Sequence, residues 1–218
     1  MRSSISLILA VLVCGALAVA GCTTSSTNPP PVTATAISLP SIALDRTDLP
    51  DGYVLTMSKV KNASDVSPLA QSLGWQAGYV AQYTKSSAPG TVVLHSLAGY
   101  PAGSIPDVVD YVNKADRTCS DLKYYDIAVT GVGDNSQAFI GYVPAQDQVA
   151  VMTNAPAAGS LSSVAVSMEG TQTVICGQNY VEIIFAKGNV LEVIRFTGPV
   201  IDDKEAIAIA QKAYAKIP

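Results

Sequence analysis

Along the chain the spacing of apolar positions changes period several times, and each change marks an element. Near the end, Ala206, Ile209, Ala210, Ala213, Tyr214 and Ile217 recur at the three-and-four spacing that lines one face of a helix. Asp202 and Glu205 form an Asp-x-x-Glu capping box at its start, and Lys212 and Lys216 sit near its negative end. A second helix is predicted from Ile105 to Arg117, with Ile105, Val108, Val109, Val112 and Ala115 as its buried stripe. Ser104 and Asp107 are spaced as a cap pair, and Pro106 falls in the first turn, where its missing N–H costs nothing. A shorter helix is predicted from Val66 to Leu73, capped by Asp65 and stopped by Gly74.

The stretches between are rich in Val, Ile, Tyr and Thr and read as strands: 52–60, 77–84, 91–100, 125–132, 137–143, 149–153, 163–168, 171–176, 180–187 and 190–197. Gly188-Asn189 is a two-residue turn of the kind tight hairpins prefer. That turn sets a register in which Glu182 faces Arg195, Ile184 faces Val193 and Ile183 faces Ile194, with one face in the core and one partly wet. Strands joined by short turns, with helices interspersed rather than alternating, predict an α+β domain. Its antiparallel sheet carries about three helices on one face.

The first residues follow a different pattern. Arg2 precedes an uncharged apolar run from Ile5 to Ala20, shorter than a bilayer-spanning helix requires, which is the layout of an export signal. Val19-Ala20-Gly21-Cys22 resembles a lipobox, which implies cleavage before Cys22 and lipid on its sulfur. An ordinary secretory signal cut near Ala20 is the alternative. The expected organisation is a signal peptide over 1–21, a Thr/Ser/Pro tether over 22–38, too polar to bury a core, and one extracytoplasmic domain over 39–218.

Composition narrows the partners. Thirteen Lys and Arg against 17 Asp and Glu give a net charge of −4, with no basic stripe, which excludes nucleic acid. Of the four cysteines, Cys14 leaves with the signal and Cys22 is acylated. The remaining pair, Cys119 and Cys176, reads as a disulfide outside the cytoplasm, worth about 4 kcal/mol by chain entropy, with two separate buried thiols as the alternative. His95 is the only histidine and no Cys-x-x-Cys occurs, so neither a metal nor a cofactor is expected.

Asp48-Leu-Pro-Asp-Gly-Tyr53, Gly131-Val-Gly-Asp-Asn-Ser136 and Ala186-Lys-Gly-Asn-Val190, in that order, resemble uncharacterised lipoproteins and secreted single domains of methanogenic archaea and actinobacteria. Some of these are similar to the Mog1/PsbP-type α+β fold. The resemblance spans about Leu44 to Pro218, implies fold and location, and carries no catalytic residues. Sensor ectodomains of some actinobacterial kinases are a more distant comparison; they typically carry two disulfides where this chain can make one.

The candidate chemistry is sparse. His95 would need an acidic partner and a nucleophile to act as a base, and neighbouring Ser96 points to the other face of a strand. The 131–136 segment lacks the lysine of a phosphate loop and the spaced carboxylates of a calcium loop, and reads as a turn. Asp45, Asp48 and Asp51 read as a solvated entry loop rather than a cation site, and Asn62-Ala-Ser64 is a glycosylation sequon. Trp75, Tyr79, Tyr83, Tyr100, Tyr124 and Tyr125 are the candidate binding surface for an envelope protein or glycan, against the alternative of core and edge packing. The leading expectation is a lipid-anchored binding or accessory domain that is not an enzyme. An envelope hydrolase or sugar-active enzyme using Asp126, Glu169, Glu182 or Glu192 would need two carboxylates in one cleft. A sensor or partner subunit would instead show an exposed apolar patch.

Overall fold

The computed structural model describes residues 38–133, 135–144, 163–165 and 173–218, with only the backbone course given for 163–165 and 173–175. The predicted signal, Cys22, the tether up to residue 37, the strand at 149–153, Glu169 and Asp134 lie outside the described residues. The strands are β1 (Tyr53–Lys61), β2 (Ala77–Lys85), β3 (Val92–Gly99), β4 (Lys123–Asp126), β5 (Gln137–Tyr142), β6 (Ser163–Ala165), β7 (Thr173–Ile175), β8 (Tyr180–Lys187) and β9 (Val190–Thr197). The helices are α1 (Leu39–Ile42), α2 (Pro68–Ser72), α3 (Ile105–Ala115) and α4 (Asp203–Lys216).

Seven strands form one sheet in the order β1-β2-β3-β9-β8-β5-β4, and β6 pairs with β7 separately. Every neighbouring pair is antiparallel. The expected hairpin register holds: Glu182 faces Arg195, Ile183 faces Ile194 and Ile184 faces Val193. Gly188 takes φ +62° in the turn, a conformation that costs glycine nothing.

The partly wet face expected of that hairpin is absent. All of β8 and β9 except their last residues are buried, on both faces. Val181, Ile183, Phe185, Ile194 and Phe196 pack under α4 and α1. Ile184, Ala186, Leu191 and Val193 on the reverse pack under α3 and α2. The sheet therefore lies between two helical layers, where one was expected. Central strands that are apolar at successive positions demand cover on both sides.

Local chemistry explains where element ends moved. Ser67, not Asp65, caps α2 by accepting from the Ala70 N–H at 3.1 Å, because Pro68 must occupy the first turn. Asp65 instead closes a one-turn capping box with Asn62 over Ala63–Asp65. Ser104 makes no side-chain cap for α3. Asp202 caps α4 through the N–H groups of Lys204 and Glu205, but Glu205 does not reach back to complete the box. Its carboxylate turns to Lys85 at 3.2 Å and to the Tyr53 hydroxyl at 3.0 Å. β4 ends at Asp126, short of the predicted Val132, because the chain then bends at Gly131 (φ +80°) and Gly133 (φ +83°) to lie on α4. A Cβ on Gly133 would meet the Tyr214 ring at 3.1 Å, and Gln211 Nε2 donates to the Thr130 carbonyl at 2.8 Å.

The disulfide forms as expected. Cys119, three residues past the cap of α3, joins Cys176 at the end of β7 with Cα atoms 5.5 Å apart.

Candidate functional site

The interior holds two ionic clusters, one on each face of the sheet. Under α3, Arg195 of β9 lies across from Glu182 of β8, Nε donating to Glu182 Oε2 at 2.6 Å, with Asp116 Oδ2 3.1 Å from Nη2. Asp116 stands at the end of α3, and its carbonyl accepts from the Tyr180 hydroxyl at 2.5 Å. One guanidinium thus serves two carboxylates away from water. Burial drives the Glu182 carboxyl well above its usual range; Arg195 opposes this and nearby Asp116 adds to it. Burial disfavours the Arg195 charge, but the two carboxylates more than offset it and hold the cation in place. The hairpin register placed Glu182 and Arg195 together; Asp116 arrives from 66 residues earlier in the helical layer and left no local signal.

On the opposite face, beneath α1, His95 of β3 and Glu192 of β9 are completely buried. His95 Nε2 lies 3.0 Å from Glu192 Oε2, and Nδ1 accepts the Leu44 N–H at 3.2 Å. His95 thus has an acidic partner but, among the described residues, no nucleophile bonded to it. Ser96 points to the other face, where it meets the Lys61 ammonium at 3.1 Å.

Of the carboxylates named for catalysis, the three that are described do not converge. Glu182 and Glu192 lie on opposite faces of the sheet and are both sealed. Asp126 is on the β4 edge, exposed and paired with Arg117. Among the described residues no two of them line one cleft.

The aromatic candidates are likewise dispersed. Tyr83 is buried beneath α1, its hydroxyl donating to the Leu44 carbonyl at 2.5 Å, and burial holds it protonated up to about 12. Tyr79 packs against the same cluster. Tyr100, Trp75 and Tyr124 belong to the reverse core, where Tyr124 meets the rings of Phe139 and Tyr180 edge-on. Tyr125 alone is open, 54% exposed, and stacks on Tyr142 with ring centres 5.2 Å apart. The Asp45–Asp51 loop is not a cation site in form: Lys216 already bridges Asp45 at 3.1 Å and Asp48 at 2.6 Å.

Two grooves and one edge remain. Tyr53, Lys85, Phe196, Ile201 and Glu205 line a mostly apolar groove of about 270 Å³ at the start of α4. Asn113, Arg117, Asp126, Ser136 and Gln137 line a shallower polar one of about 500 Å³ beside β4. The edge is β1. Among the described residues it pairs only with β2, and it is exposed from Val54 to Val60. Val54 and Leu55 are each 48% exposed, Met57 41% and Val60 63%, so four of the seven large apolar side chains exposed among the described residues lie on this strand. Lysines usually guard such an edge. Here the Lys59 ammonium is held by Asp65 at 2.6 Å, and Lys61 is folded inward, 4% exposed. Only a bulge between Leu55 and Met57 interrupts the strand. Tyrosine clustering drew attention in the sequence, whereas the exposure of β1 left no local signal, because an edge is defined by which strands pair.

No protein-family model matches the chain, and no curated protein does. Among solved structures, it is similar to the extracellular domain of PknH from Mycobacterium tuberculosis. That match has a TM-score of 0.52 at 11% identity and covers 81% of this chain and 93% of that one. At that identity the likeness is one of fold.

Proposed function

We propose that this protein is a lipid-anchored, extracytoplasmic accessory or sensor domain that works by engaging an envelope protein along β1 and performs no catalysis. The observation that carries the reading is the apolar, unguarded edge strand, the exposed patch that distinguishes a partner subunit from an enzyme. An extended segment of the partner would add to β1 by main-chain hydrogen bonds, with Val54, Leu55, Met57 and Val60 gripping its side chains. The likeness in fold to the extracellular domain of PknH supports the location. Anchoring follows from Val19-Ala20-Gly21-Cys22, with the Thr/Ser/Pro stretch giving the domain reach from the membrane.

The test is carried out on cells carrying the full chain. A photo-crosslinker at Val60 is expected to give one discrete adduct that disappears with Met57→Lys, while a crosslinker at Tyr125, exposed on β4 at the opposite edge of the sheet, gives none. An adduct insensitive to Met57→Lys, or none at Val60, overturns the docking role. Mass spectrometry of the mature protein is expected to show diacylglycerol on an N-terminal Cys22. An unmodified N-terminus upstream of Cys22 overturns the anchor and leaves the docking result standing.

A further inference from the structure

The His95–Glu192 pair serves neither the edge nor the reverse ionic cluster, yet it holds the segment by which the chain enters the domain. Two side chains grip Leu44: His95 Nδ1 takes its N–H and the Tyr83 hydroxyl donates to its carbonyl. A nitrogen that accepts an N–H carries no proton, so the imidazole here is neutral and its one proton sits on Nε2, facing Glu192. That leaves Glu192 in an unusual position. It is fully buried, its Oε1 has no hydrogen-bond partner among the described residues, and a neutral ring is its neighbour. A proton arriving at His95 would supply the missing countercharge. It would also turn Nδ1 into a donor pointing at the Leu44 N–H, and that bond cannot survive.

We propose that His95 and Glu192 form a proton-operated latch on residues 38–44, closed when the imidazole is neutral and opened by acid. The other charged and titratable groups around the latch define how far it opens. From β2 come Tyr79, which packs against the same cluster, and Tyr83, which stays protonated across the physiological range and keeps its bond. From the entry segment come Asp45 and Asp48, and from α4 come Lys212, which donates to the Asp48 carbonyl at 2.7 Å, and Lys216. Hydrogen bonds from Thr47, with Lys216 beside it, hold Asp45 down at about 2, so this clamp survives mild acid. Opening is therefore a hinge. α1 and Leu44 loosen while the Asp45–Asp48 turn stays on α4. If the chain is anchored upstream, the hinge lies where tether meets domain, and acid outside the membrane changes how the domain stands.

The experiment is amide exchange and imidazole ¹⁵N spectroscopy on the mature chain between about pH 7.5 and about pH 5, the range in which histidine titrates. His95 is expected to change from the Nε2–H tautomer to imidazolium. Over the same range Leu44 should lose protection by roughly tenfold or more relative to β8 and β9, after correction for intrinsic exchange, with Asp48 unchanged. His95→Asn places an oxygen where Nδ1 stood and cannot titrate, so its Leu44 protection should be independent of pH. Should that variant fail to fold, the wild-type correlation decides alone. Leu44 protection that persists while His95 titrates overturns the latch. So does a proton that goes to Glu192 with the imidazole still neutral, or loss of protection at β8 and β9 together with Leu44. None of these outcomes bears on docking at β1.

Discussion

Arg195 has two carboxylates within reach and no water to share them with, which makes the cluster sensitive to its proton count. A carboxyl whose folded pKa is raised binds its proton more tightly in the native state than in the unfolded chain. Glu182 therefore contributes stability that is fully present below the unfolded value of about 4.3 and is lost as pH rises through the elevated folded value. Thermal melts on the mature chain should show a transition temperature that declines from mildly acid toward neutral pH. Glu182→Gln, neutral at every pH, should flatten that slope; an unchanged slope would assign it to another group. The trend runs opposite to the latch, since acid that frees Leu44 locally should leave the global fold firmer. At this scale the sequence supplied one pair of the triad. Glu182 and Arg195 are two residues from a hairpin's symmetric register, whereas Asp116 and the His95–Leu44 contact join residues separated by 79 and 51 positions.

At the scale of elements, the bend after β4 shows how backbone freedom fixes packing. Gly133 combines φ +83° with a ring 3.1 Å from where its Cβ would be. Gly133→Ala should cost about 1–3 kcal/mol from the left-handed backbone, before any cost of displacing Tyr214. Denaturant unfolding measures it, and a loss near zero would show that the loop relaxes freely. The Gly-Val-Gly pattern was legible as a turn, but not its target, because nothing in residues 131–133 names α4. The register of β8 and β9 was legible to the residue because Gly188-Asn189 fixes their inner ends. Their faces were misjudged for a reason visible in the same residues. A Glu–Arg pair reads as surface when its neighbours are unknown, and only the packing of α3 and the reverse core over this face shows it to be buried.

For the whole molecule, the Cys119–Cys176 bond crosses from the end of α3 to the end of β7 over a separation of 57 residues. Replacing both cysteines by alanine should lower stability by about 4 kcal/mol if loop closure in the unfolded chain is the main effect. A loss below about 1 kcal/mol would mean that the reduced chain is already held compact. Because Tyr124 brackets the Cys119 backbone and packs on Phe139 and Tyr180, the loss should appear first around β4, with β1 to β3 least affected.

What the sequence determined by itself are the features written in local order. These are the hairpin register, the apolar stripes of α3 and α4, the pairing of the only two cysteines left for the domain, and an antiparallel α+β class. Each follows from periodicity, a turn dipeptide or simple counting, which need no knowledge of distant neighbours. Tertiary structure alone decided that helices cover both faces, that six aromatic candidates scatter rather than assemble, and that the three described carboxylates, Asp126, Glu182 and Glu192, share no cleft. It also decided that β1 is an edge with its lysines drawn aside, and that His95 closes on Leu44. The physical reason is common to all of these. Strand order and the facing of helices are set by which apolar surfaces find each other across the whole chain, and a side chain's chemistry depends on what arrives beside it.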